Sequence, residues 1–120
     1  MKLTDLEPQL YRYENRIETR DTTAGPKTGP CLYRVPVASL TEAQCLWFLC
    51  PKCFAGQQHR VEVTIAGRGV PDDMGTHNAK GVAVRWNLSG NGFHDLTLTP
   101  SILLEGGCNW HGFVTNGDAD

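Results

Sequence analysis

Cys50-Pro51-Lys52-Cys53, answered far downstream by Cys108-Asn109-Trp110-His111, decides how this chain closes on itself. One phrase is C-x-x-C and the other C-x-x-H. Two donors separated by two residues can both point inward from a tight turn, whose backbone N–H groups also soften the charge on the thiolates. Together the phrases offer three thiolates and one imidazole, a complete tetrahedral shell for Zn²⁺. The spacing predicts a structural zinc held by Cys50, Cys53, Cys108 and His111, with no open position for a reacting water. Each phrase follows an apolar run, Leu46-Trp47-Phe48-Leu49 before the first and Ile102-Leu103-Leu104 before Gly106-Gly107 and the second. The intervening segment, 54–107, must then carry most of the fold while the metal pins its ends.

Outward from these knuckles the sequence reads as strands. Val61, Val63 and Ile65 alternate with polar residues, as do Leu96 and Leu98, and Val82, Val84, Trp86 and Leu88 share one face of a further expected strand. Gly112-Phe113-Val114 is a short closing strand before the Asn116-Gly117 turn, and Asn91-Gly92 signals another turn. Cys31–Val37 reads as a strand. Ser39-Leu40-Thr41-Glu42 has the capping-box pattern and predicts one helical turn or short helix over 39–44. Residues 21–30, DTTAGPKTGP, read as a loop, and 66–81 as a longer loop rich in Gly, Pro and Asp. The expected fold is mainly β. It is a small antiparallel domain spanning 1–120, with zinc-ribbon-like knuckles, one short helix, and 1–30 as an extended N-terminal arm and loop.

Composition narrows the function classes. Eleven Lys+Arg face 13 Asp+Glu, a formal charge of −2. All the basic residues precede position 86, while Asp95, Glu105, Asp118 and Asp120 surround the second knuckle. That sign disfavours tracking a phosphate backbone. No apolar run approaches a membrane span. The start lacks the apolar segment of a signal peptide, so a bacterial cytoplasm is the expected compartment. There, paired cysteines point to metal rather than disulfides, and Cys31 and Cys45 read as small buried hydrophobes.

Several groups invite chemistry. Ser101 follows Pro100 at a strand end and could be a nucleophile, given a base in reach and an oxyanion site; the Gly106-Gly107-Cys108 turn could supply its N–H donors. His94 and Asp95, adjacent on a strand, face opposite sides and read as a solvated turn. His77 with Asp72 and Asp73 reads as a solvated loop. Trp110, inside the second knuckle, reads as exposed and able to anchor a partner.

FLCPKCF (48–54), GRGVPDD (67–73), the segment from Arg85-Trp86 through DLTLTPSILL (95–104), and the Gly107–Ala119 stretch around Trp110-His111-Gly112 form a specific pattern. It resembles a family of small phage- and prophage-encoded proteins of unknown function, sometimes mislabelled ammonia monooxygenase. The resemblance covers about 1–118 and implies a phage accessory protein. The C-terminal half is also similar to a broader family encoded beside bacterial ubiquitin-like conjugation genes, whose members are regarded as serine peptidases with a Ser–His dyad. That resemblance implies Ser101 as nucleophile. The base would be a histidine two positions before the first knuckle Cys, where this chain has Phe48, or His111; His59 and His94 are further candidates. Two expectations follow. The first is a zinc-stabilised accessory module that binds a host protein. The second is a small serine peptidase using Ser101 and His111 on a ubiquitin-like or other protein substrate.

Overall fold

The computed structural model describes the chain except for residues 55, 57–58 and 105–107. Among the described residues, eight strands form two four-stranded sheets whose ladders are all antiparallel. The first sheet has the order β2-β1-β3-β4, from β1 (Gln9–Thr22), β2 (Gly25–Pro36), β3 (Cys45–Leu49) and β4 (Arg60–Thr64). The second has the order β5-β6-β7-β8, from β5 (Asn87–Ser89), β6 (Thr97–Leu103), β7 (His111–Thr115) and β8 (Asp118–Ala119). The mainly-β, antiparallel expectation holds.

The core follows from the alternation. β3 lies between β1 and β4, and its continuous apolar run leaves only Trp47 partly exposed. Leu46, Phe48, Val61 and Val63 from the first sheet pack with Leu98, Ile102 and Val114 from the second, around Trp86 and Trp110. A 3-10 turn at Leu3–Leu6 adds Leu3 and Leu6 to this cluster. The N-terminus is pinned to the end of the chain, with Leu3 N–H donating to Gly117 O and the Met1 ammonium to Ala119 O.

Three readings are corrected. Residues 21–30 are mostly strand rather than loop: β1 and β2 form one long hairpin turned at Thr22–Gly25. Pro26 and Pro30 are tolerated because β2 is an edge strand, where a missing N–H breaks no ladder. The turn itself is tied by Thr22, whose hydroxyl donates to Gly25 O and accepts from Ala24 N–H. This hairpin stretches the molecule to 49 × 31 × 26 Å with a radius of gyration of 15.7 Å, against roughly 14 Å for a compact chain of this length.

The 39–44 segment makes one hydrogen-bonded turn, Glu42 N–H to Ser39 O, and no helix. Gln44 N–H then donates to Tyr11 O, so sheet pairing takes over before a second turn can form. Finally, 82–88 is not one strand. Val82 and Val84 fold back on 76–78, through Asn78 N–H to Val82 O and Val84 N–H to Thr76 O, and only Asn87–Ser89 enters a sheet.

The long 66–81 loop is tied down by two partly buried arginines and the buried Thr64. The Arg85 guanidinium donates to the carbonyls of Pro71, Met74, Thr76 and Val84. Arg68 donates to those of Leu40, Thr41 and Ala43. The fully buried Thr64 hydroxyl accepts from Thr76 N–H at 2.8 Å. Gly75 lies so close to it that a Cβ would sit 2.6 Å from Thr64 Oγ1.

Candidate active site and metal centre

The two knuckles meet, with a different fourth member. Cys50, Cys53, His59 and Cys108 place their donor atoms within 4.8 Å of one another. Cys50 Sγ and Cys108 Sγ are 3.6 Å apart, and Cys108 Sγ is 3.4 Å from His59 Nε2. A tetrahedral ion with metal–sulfur arms near 2.3 Å needs roughly 3.8 Å between sulfurs and roughly 3.6 Å from sulfur to nitrogen. The donor set and its spacing therefore fit a metal ion.

His111 was the expected fourth ligand, and the structure puts His59 there instead. The reason is register. β3 and β4 pair from Cys45↔Thr64 to Leu49↔Arg60, and the ladder continues with Cys50 N–H donating to His59 O. His59 therefore faces the first knuckle. Local spacing favoured the C-x-x-H phrase at 108–111; His59 reaches the cluster through strand pairing, which no short-range motif signals.

The thiols of the cluster are pushed in opposite directions. Burial opposes ionisation of Cys108, but the Trp110 N–H, the two neighbouring thiols and the Lys52 ammonium hold its thiol below the ordinary range. Cys53 is pushed up to about 11, by burial first and then by Cys108 beside it. Lys52 Nζ also donates to Cys108 O at 2.7 Å, a direct link between the knuckles. Cys45, fully buried away from the cluster, is pushed up to about 12, chiefly by burial. Cys31 is only partly buried, on the hairpin.

His111 is instead the first residue of β7, and its Nε2 lies 3.0 Å from Ser101 Oγ on β6. Register explains this pairing as well. Leu103 pairs with His111, and Ser101, two residues before Leu103, points to the same face. Between Leu98↔Val114 and Ile102↔Gly112 the β6 strand carries three residues against one on β7, a bulge that contains Pro100 and re-aims Ser101. Both side chains stand on the outer face of the second sheet, while Ile102, Gly112 and Val114 face the core.

Trp110 fixes the approach to His111. It is 6% exposed, packs edge-on against Phe48 with ring centroids 6.1 Å apart, and its carbonyl accepts from Leu104 N–H. The expected exposed anchor is therefore a buried post. Gly112 on the other side lies against the same ring, where a Cβ would come within 2.6 Å of Trp110 Cζ2.

The remaining candidates separate. Among the described residues no carboxylate lies within ion-pair distance of His111, so the pair is a dyad there. His94 is exposed, and Asp95 accepts from the N–H groups of Asn91 and Gly92, which hold its carboxyl below the usual range. His77 bonds the carbonyls of Gly75 and Asp72 and, among the described residues, joins no metal-ligating cluster. Gly106 and Gly107, the expected oxyanion donors, lie outside the described residues.

No curated protein and no solved structure matches this chain. A family model does, over residues 32–120, a span that contains Ser101, His111 and all four members of the thiol–imidazole cluster. The match carries nothing on phage origin. It is the model of the bacterial ubiquitination-like system serine protease (BubE), and the chain belongs to that family.

Proposed function

We propose that this chain is a serine peptidase in which Ser101 is the nucleophile and His111 its general base. The observation that carries this reading is the 3.0 Å contact between Ser101 Oγ and His111 Nε2, with His111 outside the metal cluster. An imidazole committed to a metal could not take a proton, and His111 is not among the four clustered donors.

In the first step the Ser101 hydroxyl proton passes to His111 Nε2 as Oγ forms a bond to the scissile carbonyl carbon. The tetrahedral intermediate collapses with cleavage of the C–N bond, and His111 gives its proton to the departing amine. Water then repeats the sequence on the acyl-enzyme. Its proton goes to His111, its oxygen bonds the acyl carbon, and Ser101 Oγ leaves with that proton.

Cys50, Cys53, His59 and Cys108 would hold a zinc ion. With four protein donors the shell is full, and the ion would cross-link the knuckles without taking part in the reaction. The Cys108-to-His111 phrase then joins two sites, its first residue gripping metal and its last serving the dyad. The family's printed name supports a protein substrate belonging to a ubiquitination-like system; action in the bacterial cytoplasm is part of the same proposal.

The test is labelling by a fluorophosphonate, which captures activated serine hydroxyls. Wild-type protein should label at Ser101, and Ser101→Ala and His111→Ala should not, with zinc content unchanged in all three. Equal labelling of wild type and Ser101→Ala would refute the assignment.

A further inference from the structure

We infer that the cleft beside Ser101 is the specificity site and receives one large apolar side chain of an extended polypeptide, next to the bond that is cut. The inference rests on the peptidase reading and goes on to name what the enzyme prefers.

The cleft has a volume of about 510 Å³, within the range of ligand sites. Ser101 lies in its wall. Val84, Trp86, Leu103 and Leu104 form apolar surface, and Thr76 and His77 form a polar lip. Among the described residues, no Lys, Arg, Asp or Glu lines it. The nearest cation in sequence, Arg85, has its guanidinium committed to three backbone carbonyls of the adjoining loop and to Val84 O. A charged substrate side chain would therefore lose water there without gaining a partner, and an apolar one would not.

A second observation concerns the strand edge. β5 pairs only with Thr97–Thr99 of β6. Among the described residues no strand lies along the same side of Pro100–Leu103; there the Trp86 indole N–H donates to Ser101 O at 3.2 Å. An extended chain can lie along such an edge, with alternate side chains pointing toward the cleft. The surroundings agree. Of the large apolar side chains left exposed, Leu103 (50%), Phe113 (57%) and Val82 (58%) all flank this site. Leu103 pairs with His111, Phe113 follows His111 on the same face, and Val82 lies on the small 76–84 hairpin that walls the cleft.

The experiment is cleavage profiling of a mixed peptide library by the metal-loaded full chain, read by mass spectrometry, after fluorophosphonate labelling of the wild type. Absence of labelling overturns the peptidase reading itself. With labelling present, the expected result is a preference of roughly tenfold or more for Leu, Ile, Met or Phe over Asp, Glu and Lys at one position flanking the cut. Leu103→Asp, at a half-exposed position that tolerates a polar residue, should reduce that preference and raise cleavage beside Lys or Arg. Labelling without cleavage of any peptide would overturn the inference. So would a flat profile, or an apolar preference unchanged in both Leu103→Asp and Val84→Asp.

Discussion

Replacing His111 and His59 in turn should split catalysis from folding. His111 is exposed, and among the described residues its side chain makes one hydrogen bond, to Ser101. Its loss removes little buried surface, so His111→Ala should change stability by no more than about 0.5 kcal/mol. For a domain of this length that is a shift in Tm of about 2 °C. The loss of general-base assistance is worth about 10²–10⁴ in rate, or roughly 3–5 kcal/mol of barrier. His59→Ala does the reverse. It removes one of the four donors of the thiol–imidazole cluster, and an ion held there would contribute to folding directly. A loss of roughly 3 kcal/mol would lower Tm by about 12 °C, and metal content should fall below one ion per chain. Metal analysis, thermal unfolding and fluorophosphonate labelling on the two purified variants measure all of this. Metal lost from His111→Ala and kept in His59→Ala would refute the reasoning, because the histidines would then have exchanged roles.

Gly75 sits at φ +80 with Thr64 Oγ1 2.6 Å from where a Cβ would be. Gly75→Ala combines left-handed strain with displacement of a buried hydroxyl, and thermal unfolding should show a loss of about 2–4 kcal/mol. Stripping the metal with a chelator should slow Ser101 labelling and loosen the Trp110 environment, read by its fluorescence, and added zinc should restore both. Labelling that is indifferent to metal content would deny that Cys108 positions His111. Acid stability tests the Arg34–Glu62 pair, a two-pronged ion pair at 2.9 and 3.1 Å that Tyr13 joins through its hydroxyl. Burial works against the Glu62 charge, but the hydrogen bonds from Arg34 and Tyr13 hold its carboxyl below the usual range. Its contribution is therefore present above the unfolded-state value near about 4.3 and is lost as pH falls through the lower folded value. Glu62→Gln should flatten that acid limb of a Tm-versus-pH curve.

Sequence alone determined the class of fold, because strand alternation at 61–65 and 96–98 and the apolar run 46–49 are local properties that burial simply enforces. It also marked the first knuckle, since Cys50-x-x-Cys53 brings two thiols together within one turn; that Cys108 joins them while His111 does not was decided by the tertiary structure. Which histidine completes the cluster was a matter of register. His59 and His111 carry the same imidazole, and only the β3–β4 ladder, closing with Cys50 opposite His59, sets one against the thiols. The other is carried by β7 to Ser101 across a bulge that no composition reveals. The long hairpin was hidden for a related reason. DTTAGPKTGP has loop chemistry, yet an edge strand leaves its prolines unpenalised. Trp110 was misjudged because proximity to a turn says nothing about what packs over it, and Phe48 lies 62 residues away in the chain. Contacts between distant segments cannot be read from local spacing, and in this molecule they separate a metal ligand from a base.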